Sequence, residues 1–276
     1  MRRRRPGHGR ARRAPLVLES LGDVLTVAAA GLGAGFVNGA AGGGSLVSYP
    51  LLLATGLGAR TANVTNTVGI LTGYVGGALG FRDHLRSQRS RLRELAPVAL
   101  AGGVAGALLL LMTSESSFEA VVPVLILGAC LLFAFQPIVR RRVVERRQRR
   151  VGEPHHPTGR LGATALACVF AAAVYGGYFG AGIGVILLAI LGVVLDDPLP
   201  SVNSVRGVLS LLVNVVAAVV FAFGADVDWG VAGVLAATCL VGGYAGARVS
   251  LRMPDNVLRI VVIVFGLAAV ARLLTT

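Results

Sequence analysis

The sequence predicts an all-α polytopic membrane protein of two inverted structural repeats, each with a glycine-broken, re-entrant helix pair, about 8–10 membrane segments in all. Three observations predict it. First, 55% of the residues are hydrophobic and 14% charged, with a mean hydropathy of +0.75, whereas a soluble domain carries about 25% charged residues. Second, several apolar runs reach about 18 residues or more, the length of a membrane span, and lack the polar face of a surface helix. Third, the chain matches itself at one offset: Gly42 falls on Gly182 (182 − 42 = 140), Gly44 on Gly184, Asn63 on Asn203 and Asn66 on Arg206. The same offset lays GGVAGA (Gly102 to Ala107) on GGYAGA (Gly242 to Ala247).

The chain divides into a basic arm (1–20), a first transmembrane repeat (21–139), a basic cytoplasmic linker (140–160) and a second transmembrane repeat (161–276). The arm has no cleavage site after a short apolar core, so it does not read as a signal peptide. A first span covers Leu21 to Asn38. Gly42, Gly43 and Gly44 then break the helix, since each glycine costs about 1 kcal/mol relative to alanine in a helix interior. Ser45 to Leu57 is 13 residues, about 20 Å of helix against a hydrocarbon core of about 30 Å. It reads as a half-helix. Ala62 to Phe81 is the next span and opens on Asn63, Thr65 and Asn66. Leu95 to Met112 and Glu119 to Val139 complete the first repeat, joined by the turn Ser114 to Ser117. In the second repeat Leu161 to Val174 leads into the break Gly176 to Gly184, and Val185 to Leu195 is the half-helix. Val202 to Phe223, Val231 to Ala247 and Val257 to Leu274 follow, with Trp229 as an interfacial anchor.

The net charge of +13 comes from arginine alone, in blocks at Arg2–Arg13, Arg82–Arg93 and Arg140–Arg150. Apolar segments adjoin every block. They therefore read as cytoplasmic flanks of spans rather than as a nucleic-acid surface. This places the acidic turns at Glu115 and Asp226 outside and inverts the repeats. Five crossings per repeat would put the basic arm outside, against the charge rule; one crossing fewer in the first repeat would put it inside.

No metal or cofactor site is predicted. Cys130, Cys168 and Cys239 sit in apolar segments without ligand spacing, and His155 and His156 stand alone in a loop. GAGIG (180–184) lacks the dinucleotide-binding pattern and lies in an apolar span. No nucleophile or general base falls at membrane depth, which argues against an enzyme. One charge does fall there. Arg206 lies in an apolar helix, and Asn203, Arg206, Ser210 and Asn214 share one face by their 3-4-4 spacing. Snorkelling to the headgroups is the bland alternative. A fixed cation beside backbone N–H groups at half-helix N-termini describes a site for a small anion. Its residues are Asn38, Gly42, Gly43, Gly44, Ser45, Asn63, Thr65, Asn66, Gly180, Gly182, Gly184, Asn203, Arg206, Ser210 and Asn214.

GAAGGGSLVSYP (39–50) with ANVTNTVG (62–69) and GFRDHL (80–85), and YGGYFGAGIG (175–184) with VNSVRGVLS (202–210) and VDW (227–229), resemble the TauE/SafE family of sulfite exporters over about Gly31 to Leu274. The resemblance implies a multi-pass cell-membrane transporter of sulfite, sulfonates or related oxyanions. An anion channel, which would not saturate, and a non-transporting scaffold, indifferent to Arg206, are the rival readings. The partners are thus a small anion and the bilayer; the residues carry no signature of an oligomeric state.

Overall fold

A computed structural model describes residues 18, 20–40, 42–80, 88–149, 161–195, 197 and 199–249, with isolated positions between 260 and 271. The basic arm up to residue 17, the loop 81–87, the linker 150–160 and most of the final span lie outside these residues. All regular structure described is helical: α1 (Leu21–Ala40), α2 (Ser45–Ala54), α3 (Ala59–Gly69), α4 (Leu71–Gly80), α5 (Arg89–Met112), α6 (Glu115–Arg149), α7 (Ala163–Tyr178), α8 (Ile183–Val194), α9 (Leu199–Gly224) and α10 (Trp229–Val249). Five segments, within α1, α5, α6, α9 and α10, are long and apolar enough to cross a membrane, whereas α2, α7 and α8 are shorter apolar helices. The chain is a polytopic membrane protein.

Helix starts follow local polar chemistry. Ser20 and Asp23 exchange side-chain and backbone hydrogen bonds of 3.1 Å at the start of α1, a capping box built with aspartate. The Ser114 hydroxyl accepts the Ser117 N–H at 3.2 Å, and Asp228 Oδ1 accepts the Val231 N–H at 3.0 Å. Each satisfies a donor that the first helical turn would leave orphaned.

Three features depart from the sequence reading. The expected single span from Ala62 to Phe81 is broken at Ile70 into α3 and α4. The break is clamped from α10: the Thr72 hydroxyl donates to the Ala236 carbonyl at 2.7 Å, and the Cys239 thiol meets the Ile70 carbonyl at 3.8 Å. Helix α7 continues through Gly176 and Gly177, so the second break begins at Phe179. Helix α6 runs ten residues past Val139, to Arg149, so the arginine block starts as helix. Its 35 residues extend about 52 Å, well beyond a hydrocarbon core of about 30 Å.

Two parallel helix pairs form the frame. In α1/α10, a Cβ on Gly35 would overlap the Cys239 carbonyl, one on Gly242 the Leu32 carbonyl and one on Gly246 the Phe36 carbonyl. In α5/α7, Gly106 presses on the Val174 carbonyl and Gly177 on that of Gly103. Residue numbers rise together within each pair, which makes both pairs parallel. Without a hydrophobic drive between helices in lipid, such backbone-to-backbone approach is what small residues supply. The pairs are mates at the 140-residue offset, α1 with α7 and α5 with α10.

Contacts between helix ends fix direction. Arg60 at the start of α3 bonds Thr113 and Glu115 in the α5–α6 turn. Gly224 at the end of α9 abuts Leu111, and Gly230 at the start of α10 abuts Leu18 just before α1. At the other end, Leu161 before α7 donates to Glu94 of α5, and Gln88 before α5 bonds Asp197 before α9. We refer to these as the Glu115 end and the Arg89 end. Helices α1, α3, α6 and α10 start at the first; α5, α7 and α9 start at the second.

Gly35→Val and Gly106→Val should each destabilise the protein by about 1–3 kcal/mol through overpacking, lowering its unfolding temperature in detergent. Gly128→Val, at a helix position where a Cβ meets nothing within 4 Å, should leave that temperature near wild type.

Candidate functional site

The two breaks are built alike. Gly42 and Gly182 occupy equivalent positions and have φ of 75° and 80°, a left-handed geometry that disfavours any side chain. Gly44 and Gly182 are the residues from which the half-helices α2 and α8 start. The Asn38 amide oxygen accepts the Gly44 N–H at 2.7 Å, and a Cβ on Gly44 would overlap the Ala34 carbonyl. Gly43 is closed off by the Phe133 ring of α6, and Gly182 faces Ala129 and Leu132 of the same helix. Helix α6 therefore backs both breaks.

Arg206 lies where the breaks meet. A Cβ on Gly42 would stand 4.0 Å from its Nη2, and one on Gly184 3.9 Å from its Nη1 and 3.2 Å from the Gly42 carbonyl. The Arg206 Nε is buried and makes no hydrogen bond among the described residues, and no described ion pair involves this guanidinium. Tyr74 and the Arg140 cation lie within its field, and no described carboxylate pairs with it. The residue as a whole is half-buried, and a cation without a counter-charge is costly at membrane depth.

Along α9, Ser210 and Asn214 are buried and Asn203 is half-buried. The Ser210 hydroxyl is also unpartnered, while Asn214 Nδ2 donates to the Ser210 carbonyl at 2.8 Å. Asn214 Oδ1 stands 3.7 Å from where a Cβ on Gly180 would be. Asn38 Nδ2 is a third unpartnered donor. Asn203, one turn before Arg206, makes no side-chain hydrogen bond among the described residues.

The structure does not bring every expected residue to this point. Asn63 Nδ2 donates to the Tyr178 carbonyl at 3.0 Å, tying α3 to the end of α7. The Thr65 hydroxyl accepts the Asp228 N–H at 3.0 Å. Asn66 Oδ1 accepts from the Ser48 hydroxyl at 2.5 Å, joining α2 to α3. These groups hold elements together. Gly42, Gly184, Arg206, Ser45 and Asn214 do converge, and Tyr74 joins them: it lies beside Ser45 and Asn214, within the field of Arg206. Sequence reasoning missed Tyr74, although it is the offset mate of Asn214 (74 + 140 = 214). Phe133 gave no such signal, because its role comes only from packing.

The groups that meet here are hydroxyls, amides, backbone turns and one cation. Asn38→Ala should lower stability by about 1–3 kcal/mol, because the buried Gly44 N–H loses its acceptor. Asn203→Ala should leave stability within about 0.5 kcal/mol of wild type. Denaturant or thermal unfolding of both variants checks this.

Comparison with known proteins identifies the family. The family described as sulfite exporter TauE/SafE matches residues 27–273. A probable membrane transporter protein of Haemophilus influenzae is 27% identical over 246 residues, 88% of this chain and 91% of its own. The probable membrane transporter protein YfcA of Escherichia coli (strain K12) is 24% identical over 242 residues, covering 87% and 86%. A probable membrane transporter protein of Sinorhizobium is 26% identical over 251 residues, covering 87% and 88%. No solved structure is a significant match. The family is one of transporters, not enzymes, and this multi-pass membrane chain belongs to the TauE/SafE sulfite exporter family.

Proposed function

We propose that this protein moves small oxyanions, sulfite or sulfonates among them, outward by alternating access around Arg206. The observation that carries the proposal is the Arg206 guanidinium, buried at Nε without a partner and set between the glycine breaks at Gly42 and Gly184. Arginine offers a planar fork that matches two oxygens of such an anion. The unpartnered donors on Asn38 and Ser210 and the hydroxyls of Ser45 and Tyr74 would complete its shell. Backbone N–H groups at the starts of α2 and α8 would add to the attraction. Asn63, Thr65 and Asn66 shape the site through the helices they join.

The transport cycle follows from an inverted relation of the two halves, 21–139 and 161–276, which is part of the proposal. It is supported by helix directions: α1 and α10 start at the Glu115 end, and their offset mates α7 and α5 at the Arg89 end. The described arginines at positions 89, 91, 93 and 140 to 142 mark the Arg89 end as cytoplasmic under the positive-inside rule. Helix α1 then enters from outside, so the basic N-terminal arm breaks that rule. An anion leaving the cell gains about 2.3 kcal/mol per charge per 100 mV from an inside-negative potential, so export requires no coupling ion.

Sulfite efflux from proteoliposomes at an imposed potential tests the proposal. Wild-type flux should saturate and rise with the potential. Arg206→Gln should weaken apparent affinity about tenfold or more, the worth of a charge-assisted hydrogen bond, and Arg206→Lys should lie between. Equal flux in wild type and Arg206→Gln would remove Arg206 from the site. Flux that never saturates would make the protein a channel.

A further inference from the structure

Helix α5 is fastened at both ends to the loops that follow the two half-helices. At the Glu115 end, Glu115 Oε1 accepts the Arg60 backbone N–H at 2.8 Å, and its Oε2 lies 3.5 Å from Arg60 Nε. Arg60 Nη1 also donates to the Thr113 carbonyl at 2.9 Å. The start of α3, just beyond the α2–α3 loop, is thereby tied to the α5–α6 turn. At the Arg89 end, Asp197 in the α8–α9 loop accepts from Gln88 Nε2 at 3.2 Å, and its Oδ2 lies 4.0 Å from Arg91 Nε. Gln88 is the residue at which α5 begins.

The two attachments share one physical design. Each sets a carboxylate at a helix N-terminus, where the dipole favours negative charge, beside an arginine from that helix's first turns. Each joins α5, part of the glycine-packed α5/α7 frame, to the segment beyond α2 or α8. The side chains are 31% and 39% exposed in the Arg60–Glu115 pair and 15% and 27% in Arg91–Asp197. Partly hydrated pairs of this kind break at small cost, which suits a contact that opens in every cycle. Both are made at once in this structure.

We propose that Arg60–Glu115 and Gln88/Arg91–Asp197 are the outer and inner latches of the transport cycle, and that release of one opens the site to one face. This rests on the alternating-access reading above. The test does not depend on knowing the substrate. Ser45→Cys, introduced with Cys130→Ala, Cys168→Ala and Cys239→Ala, reports access to the site by reaction with a membrane-impermeant maleimide. Adding Glu115→Gln should raise its labelling from the Glu115 face alone, and Asp197→Asn from the Arg89 face alone. The change should be about threefold or more, the population shift from losing one such contact. Separately, Arg60→Cys with Glu115→Cys in a background without the native cysteines should cross-link under oxidation. Sulfite flux should then stop, and return on reduction.

Labelling that stays at the background level in both variants, or rises from both faces alike, overturns the proposal. So does a cross-linked protein that transports at the rate of its reduced form. If the unmodified protein carries no sulfite, the substrate assignment fails, and face-selective labelling still decides for or against the latches.

Discussion

One unpaired cation at membrane depth constrains this molecule. A guanidinium taken out of water must find negative charge or keep paying a desolvation cost. No described carboxylate pairs with Arg206, and the described acidic residues lie towards helix ends or in turns. The surroundings are instead backbone turns and neutral hydroxyls and amides. On the proposed reading such a site is finished only when an anion arrives, and the missing counter-charge and the binding capacity are one property. The glycine breaks follow from the same need. A continuous helix would bury its N–H groups in its own ladder, whereas a half-helix points them at the ligand.

Broken helices are stable inside a membrane only when protein covers them. Here the cover is α6, whose Phe133 closes on Gly43 and whose Ala129 and Leu132 face Gly182. The frame around it is stiff, because in α1/α10 and α5/α7 backbone lies against backbone through glycine. Among the described residues, the half-helices are joined to that frame by few polar bonds. Under the proposed alternating-access cycle, this contrast of dense apolar packing and sparse, partly hydrated links would let one part of the transporter move against another.

Much of this was legible in the sequence, and the limits are physical. The repeat offset aligns Gly42 with Gly182 and Asn66 with Arg206, because glycine clusters and polar residues in apolar spans are rare enough to register. Arg206 stood out for the same reason. The break at Ile70 did not, since Gly69 looks in the sequence like another packing glycine such as Gly73, with only Ile70, Leu71 and Thr72 between them. It depends on Thr72 and Cys239 meeting α10, more than 160 residues away in the chain. Likewise the amides of Asn63 and Asn66 were visible as polar groups, but their partners at Tyr178 and Ser48 are tertiary facts. The arginine block at Arg140 reads as a linker by charge; that it continues α6 reflects helix propensity that arginine shares with leucine.

The most direct test of the central claim is equilibrium binding, independent of any flux. Purified protein in detergent is heated with increasing sulfite, and the unfolding temperature is compared between wild type and Arg206→Gln. Ligand at about 100 times its dissociation constant adds about 2.7 kcal/mol to stability. Wild type should therefore show a saturable rise of several degrees that chloride at equal ionic strength does not produce, and Arg206→Gln should need about tenfold or more sulfite for the same rise. An equal, saturable rise in both proteins would place the anion elsewhere and contradict the account.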